Sequence, residues 1–129
     1  MAHRHEDWLA QARHDLKAAK DSLAAQNFDW VAYQAQQAAE KAVKPLLRYH
    51  GVERRGHNIY QFLAEAEQLA SVPPALLVHA QELDEHFSRP RYPNGFDHGY
   101  PGAIYDEETA KRCLSAADAI LSFVEANTS

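Results

Sequence analysis

The sequence is poor in the features that staple a chain, span a membrane or build a sheet. It holds one cysteine, Cys113, so no internal disulfide is available and a reducing compartment is expected. No apolar run approaches the ~20 residues that a bilayer crossing needs, and no basic-then-apolar signal segment opens the chain. Five glycines and six prolines are too few for a collagen-like or low-complexity chain. No segment alternates apolar and polar residues for long enough to claim a strand. Neither a Gly-x-Ser-x-Gly turn nor a glycine-rich phosphate loop is present, which removes the hydrolase and nucleotide-fold classes that depend on them. Eight histidines form no His-x3-His pair and no Cys/His knuckle, so no metal and no cofactor is expected. These absences leave a cytoplasmic domain with no membrane partner, expected to span residues 1–129. That length is enough to bury about two-thirds of the unfolded surface.

What is present is charge asymmetry and helical periodicity. The net charge of −5 argues against a protein that coats duplex nucleic acid. Residues 41–55, however, carry Lys41, Lys44, Arg48, Arg54 and Arg55 against Glu53 alone, while residues 65–85 carry only acids. The basic end is either a phosphate-facing surface or a solvated helix end.

Leu9, Ala12, Leu16, Ala19 and Leu23 recur at 3,4,3,4 spacing, and Ala32, Ala35, Ala39, Ala42 and Leu46 repeat it. The alanine stripe permits close helix approach. Asn27 and Asp29 suit a helix start, Gly51 a stop, and Pro45 predicts a kink or an early end near Lys41. A third helix is expected over 58–70, with Ile59, Phe62, Leu63, Ala66 and Leu69 inward. A fourth follows Pro73 and Pro74 with Leu76, Ala80, Leu83 and Phe87. The last opens at Asp106, with Glu107 and Glu108 in its first turn. The expected fold is all-α, an antiparallel bundle of four to five helices. Trp8 and Trp30 read as core or dimer anchors, and Cys113 as a thiol at the edge of the core.

Between the last two helices, residues 88–105 lose the periodicity. Irregular stretches of that length are usually functional or mobile. This one holds Arg89, Arg91, Tyr92, Asn94, Phe96, His98 and Tyr100. Arginine offers a planar, always-charged fork for phosphate oxygens. Histidine exchanges protons near neutrality, and Tyr92 or Phe96 suits stacking on an unpaired base. The set fits metal-free phosphodiester chemistry. It also fits a plain loop whose arginine caps an acidic helix and whose histidine bonds locally. On the second helix, Lys41 and Lys44 either line a phosphate cleft near this loop or serve structure, with Gln36 and Gln37 bridging helices and Glu40 pairing with Lys44. His57 reads as a hydrogen-bonding residue at a helix start.

Taken together, three stretches resemble the HEPN family (higher eukaryotes and prokaryotes nucleotide-binding). They are Trp8, Leu9, Ala12, Asp15, Leu16 and Ala19; the run from Ala35 through Gln36, Gln37, Glu40, Lys41 and Lys44; and Arg91-Tyr92-Pro93-Asn94 followed by Pro101, Tyr105 and a closing helix. Gly56-His57 followed by Phe62-Leu63 is similar to the family's third-helix start. The resemblance implies a helical bundle that dimerises. It also implies, in the ribonuclease members, an Arg followed after four to six residues by His, one copy from each protomer. Arg91 and His98 have six residues between them. Carried over, His98 activates the ribose 2′-hydroxyl or protonates the leaving oxygen, Arg91 stabilises the phosphorane and Asn94 orients the phosphate. Lys41, Lys44, Arg89 and Tyr92 become nucleotide or RNA contacts. Tyr100 falls where partner nucleotidyltransferases adenylylate some toxins of the family, which implies such an enzyme as antitoxin. The other expectation is a non-catalytic nucleotide-binding or partner-binding module.

Overall fold

The computed structural model describes residues 4–49, 56–67 and 71–128, with the backbone alone at 48 and 49. The expectations at Gly51, Arg54, Arg55 and Leu69 lie outside the described residues. Six α-helices appear among them: α1 (His5–Ala24), α2 (Phe28–Tyr49), α3 (Ile59–Ala66), α4 (Pro74–Asp84), the single turn α5 (Pro101–Ile104) and α6 (Glu107–Asn127). No described residue is in a strand. The all-α bundle expected from periodicity is what forms.

The stripe Leu9, Ala12, Leu16 and Ala19 of α1 is buried, and so is the alanine stripe of α2. α2 packs mainly between α1 and α6 and also touches α3, α4 and α5. Its buried face is broader than the alanine stripe and includes Val31, Ala38, Val43 and Leu47. α1 and α2 form a tight antiparallel hairpin. Its turn bonds the Asn27 amide to the Ser22 carbonyl and the Gln26 amide to the Leu23 carbonyl, which is the Schellman arrangement. Gln26 takes the left-handed conformation there (φ 63°), where glycine is usual.

Pro45 corrects the expected break at Lys41, since α2 continues to Tyr49. Proline leaves the Lys41 carbonyl without its i+4 donor and crowds the preceding turn. Pro45 itself, Leu46 and Leu47 are fully buried beside it, so core packing carries the helix through the defect. α4 ends at Asp84, short of the expected Phe87, so His86 and Phe87 sit beyond the helix rather than on its face. Cys113 lies fully inside the core, not at its edge. Trp30 is 45% exposed and is no core residue.

α6 is capped by Asp106, whose carboxylate accepts from the Thr109 amide at 2.8 Å. Those Thr109 hydrogen bonds hold the Asp106 carboxyl below its usual range. The segment expected to be irregular contains a 3-10 turn, Pro93–Gly95, as well as α5. It is pinned to the bundle by the Arg89 guanidinium 4.5 Å from the Phe96 ring and by Phe96 edge-on to the buried Tyr105.

Candidate functional site

Phe87, just past the end of α4, is the centre of the site. The turn after it is closed by the Arg91 amide donating to the Ser88 carbonyl, with Pro90 buried beneath. This turn brings the Arg91 side chain back over Phe87. Its guanidinium carbon stands 4.8 Å from the Phe87 ring centre, 4.5 Å from Tyr33 and 5.0 Å from Tyr92. Arg91 Nε donates to the Phe87 carbonyl at 2.9 Å. Neither terminal nitrogen bonds to a described residue. Three aromatic faces and one backbone carbonyl therefore fix the cation, while its outer fork stays available to an anion.

His57 stacks on the same ring, with centroids 3.9 Å apart and planes 18° apart. It precedes α3, at whose start Gly56 takes φ 103°. Nothing lies within 4 Å of a Cβ placed on Gly56, so backbone conformation rather than space selects glycine there. The His57 Nδ1 meets Glu40 Oε1 at 2.9 Å. Glu40 sits on α2 with its side chain only 8% exposed, and it also pairs with Lys44 at 3.3 Å. Gln36, fully buried, donates to the His57 carbonyl and to Glu40. Gln36 thus links α2 to the turn before α3, whereas Gln37, expected to bridge helices, bonds among the described residues only within α2, to Gln36 and Glu40; Glu40 pairs with Lys44 inside the fold.

The start of α3 is capped separately. Asn58 accepts from the Gln61 amide, and Asp84 accepts from the Ile59 and Tyr60 amides at 2.7 and 3.0 Å. Burial pushes the Asp84 carboxyl above its ordinary range, and these two amides oppose the shift.

The other expected residues are spread around this centre. Tyr92 is 51% exposed beside Arg91, and Asn94 is exposed in the 3-10 turn. His98 is exposed next to Gly99, which takes φ 77°, and its ring bonds to no described residue. Tyr100 is 60% exposed and lies against the first turn of α5. Arg89 faces Phe96, on the Tyr105 side of the loop. Lys41 pairs with Asp15 of α1 at 2.6 Å, and Lys44 stands over the Trp8 and Phe62 rings. Any phosphate reaching either lysine competes with a carboxylate already in place.

Sequence reasoning missed the joining of Glu40, His57, Phe87, Tyr33 and Arg91. The available signal was the polar run Gln36, Gln37 and Glu40 inside an alanine-rich helix, which needs polar partners once buried.

A second histidine cluster lies between α4 and α6. His86 is buried; its Nδ1 meets the Tyr105 hydroxyl at 2.7 Å and its Nε2 meets Glu82 at 3.1 Å. Ligand atoms of Glu82, His86 and Cys113 lie within 4.8 Å of one another, so these three are the candidate metal donors among the described residues. The chemistry fits a metal poorly. Both imidazole nitrogens already have partners, and burial, reinforced by Glu82, pushes the Cys113 thiol up to about 12, so it stays protonated at neutral pH. Beside the cluster opens a pocket of about 220 Å³ that includes Arg89, Phe96 and Arg112 in its lining.

The HEPN domain family profile matches residues 5–127. A Methanocaldococcus jannaschii protein named "Putative toxin MJ1304" is 30% identical over 131 residues, covering 92% of this chain and 84% of that one. The crystal structure of TT1696 from Thermus thermophilus superposes with a TM-score of 0.94 at 37% identity, covering 98% of this chain and 99% of that one. The crystal structure of ST0689, an archaeal HEPN homologue, gives 0.84 at 35% identity over the whole of both chains. A HEPN domain protein of Thermotoga maritima gives 0.76 at 32% identity, covering 93% of this chain and 95% of that one.

Proposed function

The chain belongs to the HEPN domain family, and from that premise we propose that it is a toxin-like endoribonuclease that works as a homodimer without a metal. The observation that carries this reading is Arg91. A guanidinium held by three aromatic rings, with its fork open, is built to take a phosphate and to stabilise charge gathering on it. His98, exposed further along the same loop, supplies a proton-transfer group, Asn94 orients the phosphate and Tyr92 stacks a base. Arg89, Lys41 and Lys44 are further candidate RNA contacts, the two lysines reaching a phosphate only by releasing Asp15 and Glu40. The similarity to a protein named as a toxin supports the toxin reading. An exposed Tyr100 is accessible to adenylylation by a nucleotidyltransferase antitoxin.

The test is cleavage of mixed-sequence single-stranded RNA in EDTA. Wild-type dimer is expected to cleave, and Arg91→Ala and His98→Ala to lose cleavage. Intact RNA after incubation with wild-type dimer removes the enzymatic reading. The Arg91 fork and exposed Tyr92 equally suit a module that binds nucleotides without cutting. In that case calorimetry shows salt-sensitive nucleotide binding that Arg91→Ala abolishes, and a flat titration removes it.

A further inference from the structure

Metal-free RNA cleavage needs two proton transfers. A base takes the proton of the 2′-hydroxyl as O2′ attacks phosphorus. An acid gives a proton to O5′ as the P–O5′ bond breaks. The products are a 2′,3′-cyclic phosphate and a 5′-hydroxyl, and no other reactant is consumed. His98 accounts for one transfer. We propose that His57, oriented by the buried Glu40 and lying on the same Phe87 ring as Arg91, is a catalytic residue that performs the other. This rests on the ribonuclease reading above and adds a second proton-transfer group to it.

The geometry has the parts that such a group needs. Glu40 engages Nδ1 at 2.9 Å, which leaves Nε2 as the working nitrogen. The His57 side chain is 52% exposed, and Nε2 bonds to no described residue, so substrate can reach it. Phe87 holds the ring at 3.9 Å, and Gln36 holds the backbone beneath it. The anion-binding fork of Arg91 is carried by the same aromatic ring. A role in starting α3 does not account for the imidazole, because Asn58 and Asp84 already cap that helix. Among the described residues, Glu40 is the charged group in direct contact with His57, Lys44 of α2 pairs with that same carboxylate, Asp84 of α4 lies close enough to Glu40 for the two to repel, and Arg91 of the following loop shares the Phe87 ring.

The experiment uses the full-length dimer, mixed-sequence single-stranded RNA and EDTA. His57→Gln, which keeps a donor for Glu40, and His57→Ala are expected to lower kcat/KM by about 10²–10⁴-fold. Both are also expected to remove one limb of the bell-shaped pH–rate profile, while the thermal melt of His57→Gln, which keeps the Glu40 contact, stays close to wild type. Added imidazole is expected to restore part of the His57→Ala activity, which no structural role predicts. Cleavage within about threefold of wild type, with both limbs kept, overturns the assignment of His57 and leaves the ribonuclease reading standing. A large loss with an unchanged pH profile and no imidazole response also overturns it, in favour of a structural role. Failure of the wild-type dimer to cleave removes the ribonuclease reading, and this assignment with it.

Discussion

Two histidines in this molecule each meet a glutamate, and their surroundings assign them opposite jobs. His86 is buried between α4 and α6, with Tyr105 on one nitrogen and Glu82 on the other. Nothing is left over, and the cluster locks the loop after α4 against the last helix. His57 has a buried carboxylate on one nitrogen, a half-exposed ring whose other nitrogen bonds to no described residue, and a Phe87 ring that it shares with Arg91. The residue pair is the same in kind. Exposure of the second nitrogen separates a lock from a site, and spacing along the chain carries no sign of that difference.

The comparison breaks most readily at Arg91. Replacing it with alanine is expected to reduce RNA cleavage by at least about 10²–10³-fold, because fixed donors to the developing charge are lost. Arg91→Lys is expected to rescue little, since an ammonium cannot present a planar fork from an aromatic cage. Steady-state kinetics on the same RNA checks both.

At the closed cluster the expectation reverses. His86→Ala leaves the buried Tyr105 hydroxyl without its partner and opens a gap in the core, and is expected to cost about 2–4 kcal/mol of stability; Glu82 keeps Arg112. Cleavage per folded molecule is expected to stay at the wild-type level. Urea unfolding together with an activity assay separates the two effects, and a proportionate activity loss contradicts the division between lock and site.

A smaller effect appears at alkaline pH. The Cys113 thiol is raised from its ordinary 9.0 to about 12, so the fold favours its protonated form. Its contribution is complete below pH 9 and is lost as pH rises towards 12. Burial raises the Tyr105 hydroxyl in the same direction, with the same sign. Cys113→Ala is therefore expected to flatten the fall in melting temperature above pH 9. An unchanged slope contradicts the burial argument.

The smallest change lies far from both histidines. Gln26→Gly relieves the left-handed backbone between α1 and α2 and is expected to add about 0.5–1 kcal/mol, a rise of a few degrees in melting temperature. Cleavage is expected not to change.

The helices were legible because a half-buried helix must repeat every 3.6 residues. Leu9 to Ala19 and Ala32 to Leu46 spell that out, and Asp106 marks its helix start by a capping rule that holds locally. Pro45 misled because local rules count the lost hydrogen bond but not the buried neighbours that compensate for it. The loop around Arg91 stood out in the sequence through its lost periodicity and its residue types. Its partners did not, because Tyr33, Glu40 and His57 reach Phe87 and Arg91 only through tertiary packing across distant stretches of chain. The early end of α4, which frees Phe87 to serve as the shared ring, had no signal in a periodic apolar pattern that runs straight through it.

The most direct test of the open site is the chemistry of the cut ends. Wild-type protein, incubated with mixed-sequence single-stranded RNA in EDTA, is expected to leave 2′,3′-cyclic phosphate and 5′-hydroxyl termini, and Arg91→Ala is expected to leave the RNA whole. Intact RNA with the wild type, or equal cleavage by Arg91→Ala, contradicts the account.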